Sequence, residues 1–249
     1  MTTTAIKQTG SYLLFHAHGS GSVFPRTVLR LLDVPHEVVV CDYEQITRKQ
    51  GSDYARLAKV NPLAQFPTLV TPEGTIMTEM VAIVLYLQDR HAQGTQWCTS
   101  NLTPSQLAAF YRWFIFIPAN VYPVLTLGEF PGRFVRIPSD AGVATSAVEG
   151  WITEGAYAKR EELWIMLEKE MTKGLKDEEY LAGTENPTLL DVFIAMMAHF
   201  MPHIGRGTKW FTNNCPQVYK RVQETLKVDA VKDTFQESGL DEYFKLGRS

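Results

Sequence analysis

The chain has 249 residues, enough for one large or two small domains, with 45% hydrophobic and 20% charged residues. A net charge of -3 gives no electrostatic pull toward nucleic acid or an anionic membrane. No apolar run reaches the ~20 residues of a membrane span, and three scattered cysteines, Cys41, Cys98 and Cys215, argue against a disulfide framework or structural zinc.

Residues 1–11 (MTTTAIKQTGS) are polar, lack the apolar core of a secretory signal and read as a disordered leader. Residues 12–16 (YLLFH) predict a short apolar strand, followed by a Gly/Ser loop, HGSGS. Residues 23–33 carry Val28, Leu29, Leu31 and Leu32 at helical spacing, and Val34-Pro35 ends that helix. Residues 36–42 (HEVVVCD) form a β-branched strand and residues 47–58 a polar helix.

The stretch from Asn61 to Tyr86 is the most informative. It predicts a loop ending at Pro67, a strand at 66–71, a Glu73-Gly74 turn, a strand at 75–78 and a helix at 80–90. The order is β-α-β-α-β-β-α: the first crossover implies a parallel pair and the Gly turn an antiparallel hairpin. A proline at a strand start can be cis and turn the preceding backbone outward. Glu79 stands where the last strand meets the helix, and a helix N-terminus presents backbone N–H groups to an anion. The combination reads as a peptide-binding edge beside a charged pocket.

Residues 92–103 (AQGTQWCTSNLT) form a polar linker without periodicity. From Pro104 onward the pattern predicts helices only. Residues 104–129 are aromatic and helical, broken near Pro118 and Pro123, and 130–140 form a loop. A long helix follows over 141–173, with Trp151, Ile152, Leu163, Trp164, Met166 and Leu167 on or near one face. Thr188 to Asp191 form a capping box that launches a buried apolar helix over 188–201. Shorter helices are expected at 216–226 and 229–237. The predicted architecture is a small α/β domain with a mixed sheet (12–91), a linker (92–103) and a larger all-helical domain (104–249), with a ligand crevice between them.

In order and spacing, Ser22-Val-Phe-Pro-Arg, Asn61-Pro-Leu-Ala-Gln-Phe-Pro-Thr-Leu, Thr78-Glu-Met-Val-Ala-Ile-Val-Leu-Tyr86 and the Thr188–Asp191 box resemble the glutathione transferase family. The resemblance runs from about residue 12 to 240. It implies an N-terminal thioredoxin-like domain with a four-stranded mixed sheet, a C-terminal helical bundle and a cytoplasmic homodimer. Glutathione is implied as co-substrate, with a small hydrophobic second substrate, no metal, no nucleic acid and no membrane partner. Fold does not settle activity: a non-catalytic carrier of hydrophobic ligands, or a glutathione-dependent isomerase or ether-cleaving enzyme, fits the same resemblance.

Residue by residue, the resemblance makes Glu79 the partner of the γ-glutamyl amine; a plain N-terminal acid helped by the helix dipole is the competing reading. Met80 departs from the family, which often carries Ser there. It keeps the backbone N–H but lacks a hydroxyl, and a lost hydrogen bond to a charged group costs ~1.5–3 kcal/mol. The Phe66 backbone, with Pro67 cis, resembles the clamp on the cysteinyl unit, and Gln65 stands where a polar side chain helps hold the peptide. Ser22, at the first helix N-terminus, is the candidate for meeting the sulfur, with Ser20 its rival; a plain N-cap serine is the alternative. A hydroxyl and the helix dipole both favour the thiolate. Serine cannot form a mixed disulfide, which argues against reductase chemistry, and the absence of tyrosine from the loop argues against a tyrosine mechanism. Phe24, Phe110, Trp113, Phe114, Asn120 and Tyr122 are the expected second-substrate wall, with Arg133 and Arg136 in the loop beyond. His16 and His18 are expected to line the loop, and His199 and His203 to be buried or to cap a helix.

Overall fold

The computed structural model describes residues 10–138, 140–200 and 207–240. The expected leader lies outside the described residues apart from Gly10 and Ser11, and so does His203. Strand β1 (Tyr12–His16) leads into helix α1 (Val23–Leu31) and strand β2 (His36–Val40). The polar helix expected next is two helices, α2 (Tyr43–Arg48) and α3 (Gly51–Val60). Lys49 and Gly51, at φ 55 and 88, turn the chain between them, a left-handed signal hidden in a polar run. Strands β3 (Thr68–Val70) and β4 (Ile76–Met77) then precede α4 (Met80–His91). The sheet order is β2-β1-β3-β4, with β1 parallel to β2 and both other pairs antiparallel, the expected mixed sheet.

The two-residue period of the strands divides two cores. Leu14 and Leu69 point to one face, with α1, α4 and the later helices. Phe15 and Val70 point to the other, packed with Leu57 of α3.

A short 3-10 turn (Thr99–Asn101) precedes α5 (Pro104–Phe116), which Thr103 caps with Gln106 as a capping box. The helical stretch is not broken at its prolines. A π segment, Ile117–Val121, absorbs Pro118 and runs directly into α6 (Tyr122–Glu129), with Pro123 in its first turn. A turn at Pro131–Arg133 and α7 (Thr145–Met171) follow. Trp164 and Leu167 are buried, but Trp151, expected near their face, is 65% exposed. Helix α8 (Leu189–His199) is buried at every residue, and its Thr188/Asp191 capping box forms as expected. Asp191 also accepts from the Leu181 N–H. Helix α9 (Gly207–Asn214), which the sequence reading did not foresee, precedes α10 (Pro216–Thr225) and α11 (Asp229–Glu237).

An aromatic stack joins the two parts of the chain. Phe24 of α1 stacks on Phe193 of α8 at 4.7 Å and meets Phe114 of α5 edge-on at 5.8 Å. Phe110 stacks on Phe114 at 4.8 Å. Opening such a cluster is costly; truncating one ring to alanine costs about 3–5 kcal/mol. Residues 18–22 are therefore held against the helices that follow. The C-terminal end of α11 fixes them from another side. Arg26 donates to Ser238 Oγ at 3.1 Å and to Glu237 at 2.5 Å, Arg30 also reaches Glu237, and the Gly19 N–H donates to the Ser238 carbonyl at 3.0 Å.

Candidate active site

The loop between β1 and α1 carries a buried hydroxyl chain. Ser22 Oγ lies 2.8 Å from His16 Nδ1 and 2.6 Å from Ser20 Oγ, and accepts from the Ala17 N–H at 3.2 Å. Ser20 Oγ donates to the Ala17 carbonyl at 2.8 Å. One proton arrangement satisfies these contacts together: His16 Nδ1–H donates to Ser22, Ser22 donates to Ser20, and Ser20 donates to the carbonyl. His16 Nε2 is then a bare acceptor, and it has no partner among the described residues. Burial, then the nearby Arg26 and His18, hold the imidazole neutral, its pKa lowered to about 3.

This arrangement corrects two expectations about the loop. Ser22 stands at the start of α1, but its side chain makes no cap bond to that helix; the hydroxyl turns back to β1. It is fully buried with both oxygen lone pairs and its proton engaged, whereas Ser20 keeps 8% exposure. Of the two serines, Ser20 is the less completely buried. His16 does not line the loop surface; it is the buried base of the chain, and only His18 is exposed.

Across from the loop, the Asn61 side chain builds the turn before β3. It donates to Thr68 Oγ1 at 2.9 Å and accepts from the Leu63 N–H at 3.0 Å, while Thr68 Oγ1 donates to the Gln65 carbonyl. The Phe66-Pro67 bond is cis. Among the described residues, the Phe66 N–H and C=O make no hydrogen bond, so this edge keeps its peptide pairing capacity. Pro67 is buried, Phe66 half-buried and Gln65 exposed.

Glu79 has φ 64 and ψ 106, a strained backbone for a side chain with a Cβ. Its carboxylate makes no cap bond to α4 and is exposed, and among the described residues it accepts only from Thr78 Oγ1, at 3.3 Å. The plain N-terminal acid reading therefore lacks its hydrogen bond. Met80 is buried and packs in the core, leaving the N–H groups at the start of α4 directed at the site's edge.

Tyr122, at the start of α6, reaches over the loop from the helical part. A Cβ on Gly21 would stand 2.8 Å from its hydroxyl oxygen and 3.3 Å from Met80 Sδ. The Gly21 N–H faces the phenol oxygen, and burial pushes the phenol up to about 12, so it stays protonated at neutral pH. Tyr43 lies near enough to add to the rise at Tyr122, and it stacks on Phe66 at 6.2 Å and on Phe130 at 6.4 Å. Arg133 lies 3.9 Å over the Phe130 ring. Met80, Gly21, Tyr122, Tyr43 and Phe66 thus form one continuous rim.

The aromatic wall differs from the expected one. Phe24, Phe110 and Phe114 are fully buried and Trp113 nearly so, because they make the core that joins α1 to α5 and α8. Asn120 is exposed and donates to the Phe116 carbonyl at 3.1 Å, tied to its own helix. Of the six, Tyr122 alone is placed at the rim by these contacts. Tyr43 and Phe130 stack beside it, and sequence reasoning missed both. Their signal was faint: a tyrosine after the Asp42 cap and a phenylalanine before Pro131. Among the described residues, no group of three or more His, Cys, Asp or Glu is placed to hold a metal, and no helix is long and apolar enough to cross a membrane. All three cysteines are free, with Cys41 and Cys215 buried.

Residues 14–95 match the glutathione S-transferase N-terminal domain. The chain is 29% identical over 205 residues to the uncharacterized GST-like protein YncG of Escherichia coli K12, covering 80% of this chain and 85% of that one. The structure superposes on a glutathione transferase homolog from Sulfitobacter with bound glutathione at a TM-score of 0.75 and 16% identity, covering 93% of this chain and 100% of the other. It also resembles the glutathione transferase URE2P6 of Phanerochaete chrysosporium, in complex with oxidized glutathione, at a TM-score of 0.69 and 17% identity, covering 94% and 99%. Residues 14–95 thus carry the pattern of the family's N-terminal domain, and the thioredoxin-like sheet followed by a helical C-terminal part is the fold of the glutathione transferase structures.

Proposed function

We propose that the protein is a glutathione transferase, activating the glutathione thiol for attack on a small hydrophobic electrophile. The observation that carries this reading is the continuous rim from Met80 through Gly21, Tyr122 and Tyr43 to Phe66, which joins an unpaired peptide edge to a helix N-terminus and a hydroxyl-bearing loop. Residues 12–91 form the glutathione-binding domain, 92–103 the linker and 104–249 the helical domain. The protein works as a cytoplasmic homodimer.

In this reading the Phe66 backbone pairs with the cysteinyl unit and Gln65 flanks it. Glu79 receives the γ-glutamyl ammonium, and the Met80 N–H holds the γ-glutamyl carboxylate, aided by the helix dipole. Ser20, the more open hydroxyl, meets the sulfur. Ser22 and His16 stand behind it as positioning residues, each donating to the next and so polarising the Ser20 O–H. On binding, that O–H turns from the Ala17 carbonyl to the thiolate, while Ser22 keeps donating to Ser20. The thiol proton leaves to water, a carbon–sulfur bond forms, and the leaving group departs with its electron pair. The electrophile packs against Tyr43, Phe130 and Tyr122, with Arg133 beside it.

Conjugation of glutathione to a generic aryl halide tests the reading. Wild-type protein turns over, Ser20→Ala loses roughly tenfold or more in kcat/KM, and a wild type without turnover contradicts it. Met80 motivates the competing reading of a ligand carrier, since it brings no hydroxyl to the carboxylate site. Calorimetry separates the two: a carrier binds an apolar compound tightly and glutathione not at all.

A further inference from the structure

We infer that the second substrate is a flat aromatic electrophile bearing one anionic group, its ring laid against Tyr43 and Phe130 and its anion paired with Arg133. The inference rests on the proposed glutathione site and names the class of electrophile that site takes.

Three rings make the surface that would receive such a substrate. Tyr43 lies between Phe66 and Phe130, tilted 28° from one and 29° from the other. Rings so nearly parallel form a stepped, flat face, which suits another flat ring better than a branched aliphatic group. Tyr43 is 38% exposed and Phe130 half-buried, so both keep area for a ligand. Phe130 is also fixed from behind. Gly128 packs so close to α7 that a Cβ on it would stand 2.9 Å from the Tyr157 ring, and its carbonyl accepts from Thr153 Oγ1 at 3.1 Å. Glu129 pairs with the buried Arg160 at 3.3 Å. The end of α6 is thus anchored on α7, and little ordering is left to be done when a ring binds.

Arg133 supplies the charge. In the turn Pro131–Arg133 the Arg133 N–H donates to the Phe130 carbonyl at 3.0 Å, which folds the arginine back over the ring it follows. Its guanidinium carbon stands 3.9 Å from the Phe130 centroid. Stacking engages the face of a guanidinium and leaves its N–H edge for an acceptor. Among the described residues that edge has no acceptor and no carboxylate within ion-pair reach, although Glu149 lies beside Gly132 of the same turn. Arg136, three residues on, is exposed too but stacks on no ring among the described residues. A surface arginine free in solvent contributes little to binding an anion. One already held on a ring loses less freedom, and a substrate ring covering Tyr43 and Phe130 shields the pair from water. In the step itself a bond forms between the glutathione sulfur and the ring carbon, the halide leaves with its electron pair and the thiol proton passes to water. Arg133 keeps its protons and acts by binding alone.

The experiment measures kcat/KM for a chloronitrobenzoate and for its neutral amide, each divided by the uncatalysed rate with glutathione. Wild type is expected to favour the acid about tenfold, the contribution of one charge-assisted pair, and to lose that preference as salt is raised. Arg133→Gln lowers turnover of the acid about tenfold and leaves turnover of the amide and the glutathione affinity unchanged. Arg133→Lys keeps part of the preference, and Arg136→Gln alters neither electrophile. A wild type without preference, or an equal loss on acid and amide in Arg133→Gln, overturns the inference while the transferase reading stands. Weaker glutathione binding by Arg133→Gln does the same, since Arg133 would then serve a carboxylate of glutathione. A wild type inert toward both compounds but active on a generic aryl halide also overturns the inference alone; one inert toward all three overturns both readings.

Discussion

The Tyr122 hydroxyl closes over Gly21, so that a side chain at residue 21 would begin 2.8 Å from the phenol oxygen. A contact that tight couples the two positions energetically. Gly21→Ala is expected to cost about 1–3 kcal/mol in urea unfolding, the usual penalty of overpacking. In a Tyr122→Phe background, where the nearest ring carbon would be 3.5 Å away, the same substitution costs about 1 kcal/mol less. Additive costs would show that the two residues do not touch.

His16 makes the fold acid-sensitive. Its pKa, lowered to about 3 by burial and by the Arg26 and His18 charges, lies below the unfolded value of 6.5. The unfolded chain therefore binds an extra proton between those two values, and stability falls as pH drops through that window. The loss is on the order of 1 kcal/mol per pH unit. Asparagine can keep the donor to Ser22 without titrating, so His16→Asn flattens this slope in unfolding measured from pH 7 to 4. An unchanged slope removes His16 as the source.

Much of this was legible in the sequence because the signals were local. The strand alternation of β1, the Thr188–Asp191 box, the Asn61–Pro67 loop and the position of Glu79 each depend on neighbours within a few residues. What could not be read was pairing at a distance. An aromatic stripe at helical spacing looks the same whether it faces a core or a ligand, and Phe24, Phe110 and Phe114 turned to the core because Phe193, far along the chain, supplied the matching ring. Tyr122 was counted with them, although Gly21 gives it a different place. The order of the two serines was equally hidden: spacing placed Ser22 at the helix, and only the fold revealed His16 and Ala17 filling its hydroxyl's bonding capacity.

Glu79 carries backbone strain that no cap bond offsets. A residue held at such an angle costs about 1–3 kcal/mol and tends to persist where function requires it. Glu79→Gly is expected to raise the unfolding free energy by roughly 1 kcal/mol, after the entropy cost of glycine, while weakening glutathione binding. A variant that loses stability would show the angle to be unstrained.

The end of α11 holds α1 through Arg26, Arg30 and Glu237, and the loop before α1 through the Gly19 N–H. Glu237 is about half exposed, so Glu237→Gln should cost no more than about 1 kcal/mol globally. Its local effect is larger in kind: the Gly19 amide, bonded to the Ser238 carbonyl, should exchange with solvent faster in the variant. Equal exchange rates at Gly19 would disconnect the latch from the loop.

A calorimetric titration of glutathione into wild type and Glu79→Gln tests the central claim most directly. The site described here predicts saturable binding to wild type and roughly tenfold or more weaker binding to the variant, the loss of one charge-assisted hydrogen bond. Folded wild-type protein that takes up no glutathione at millimolar concentration would contradict it.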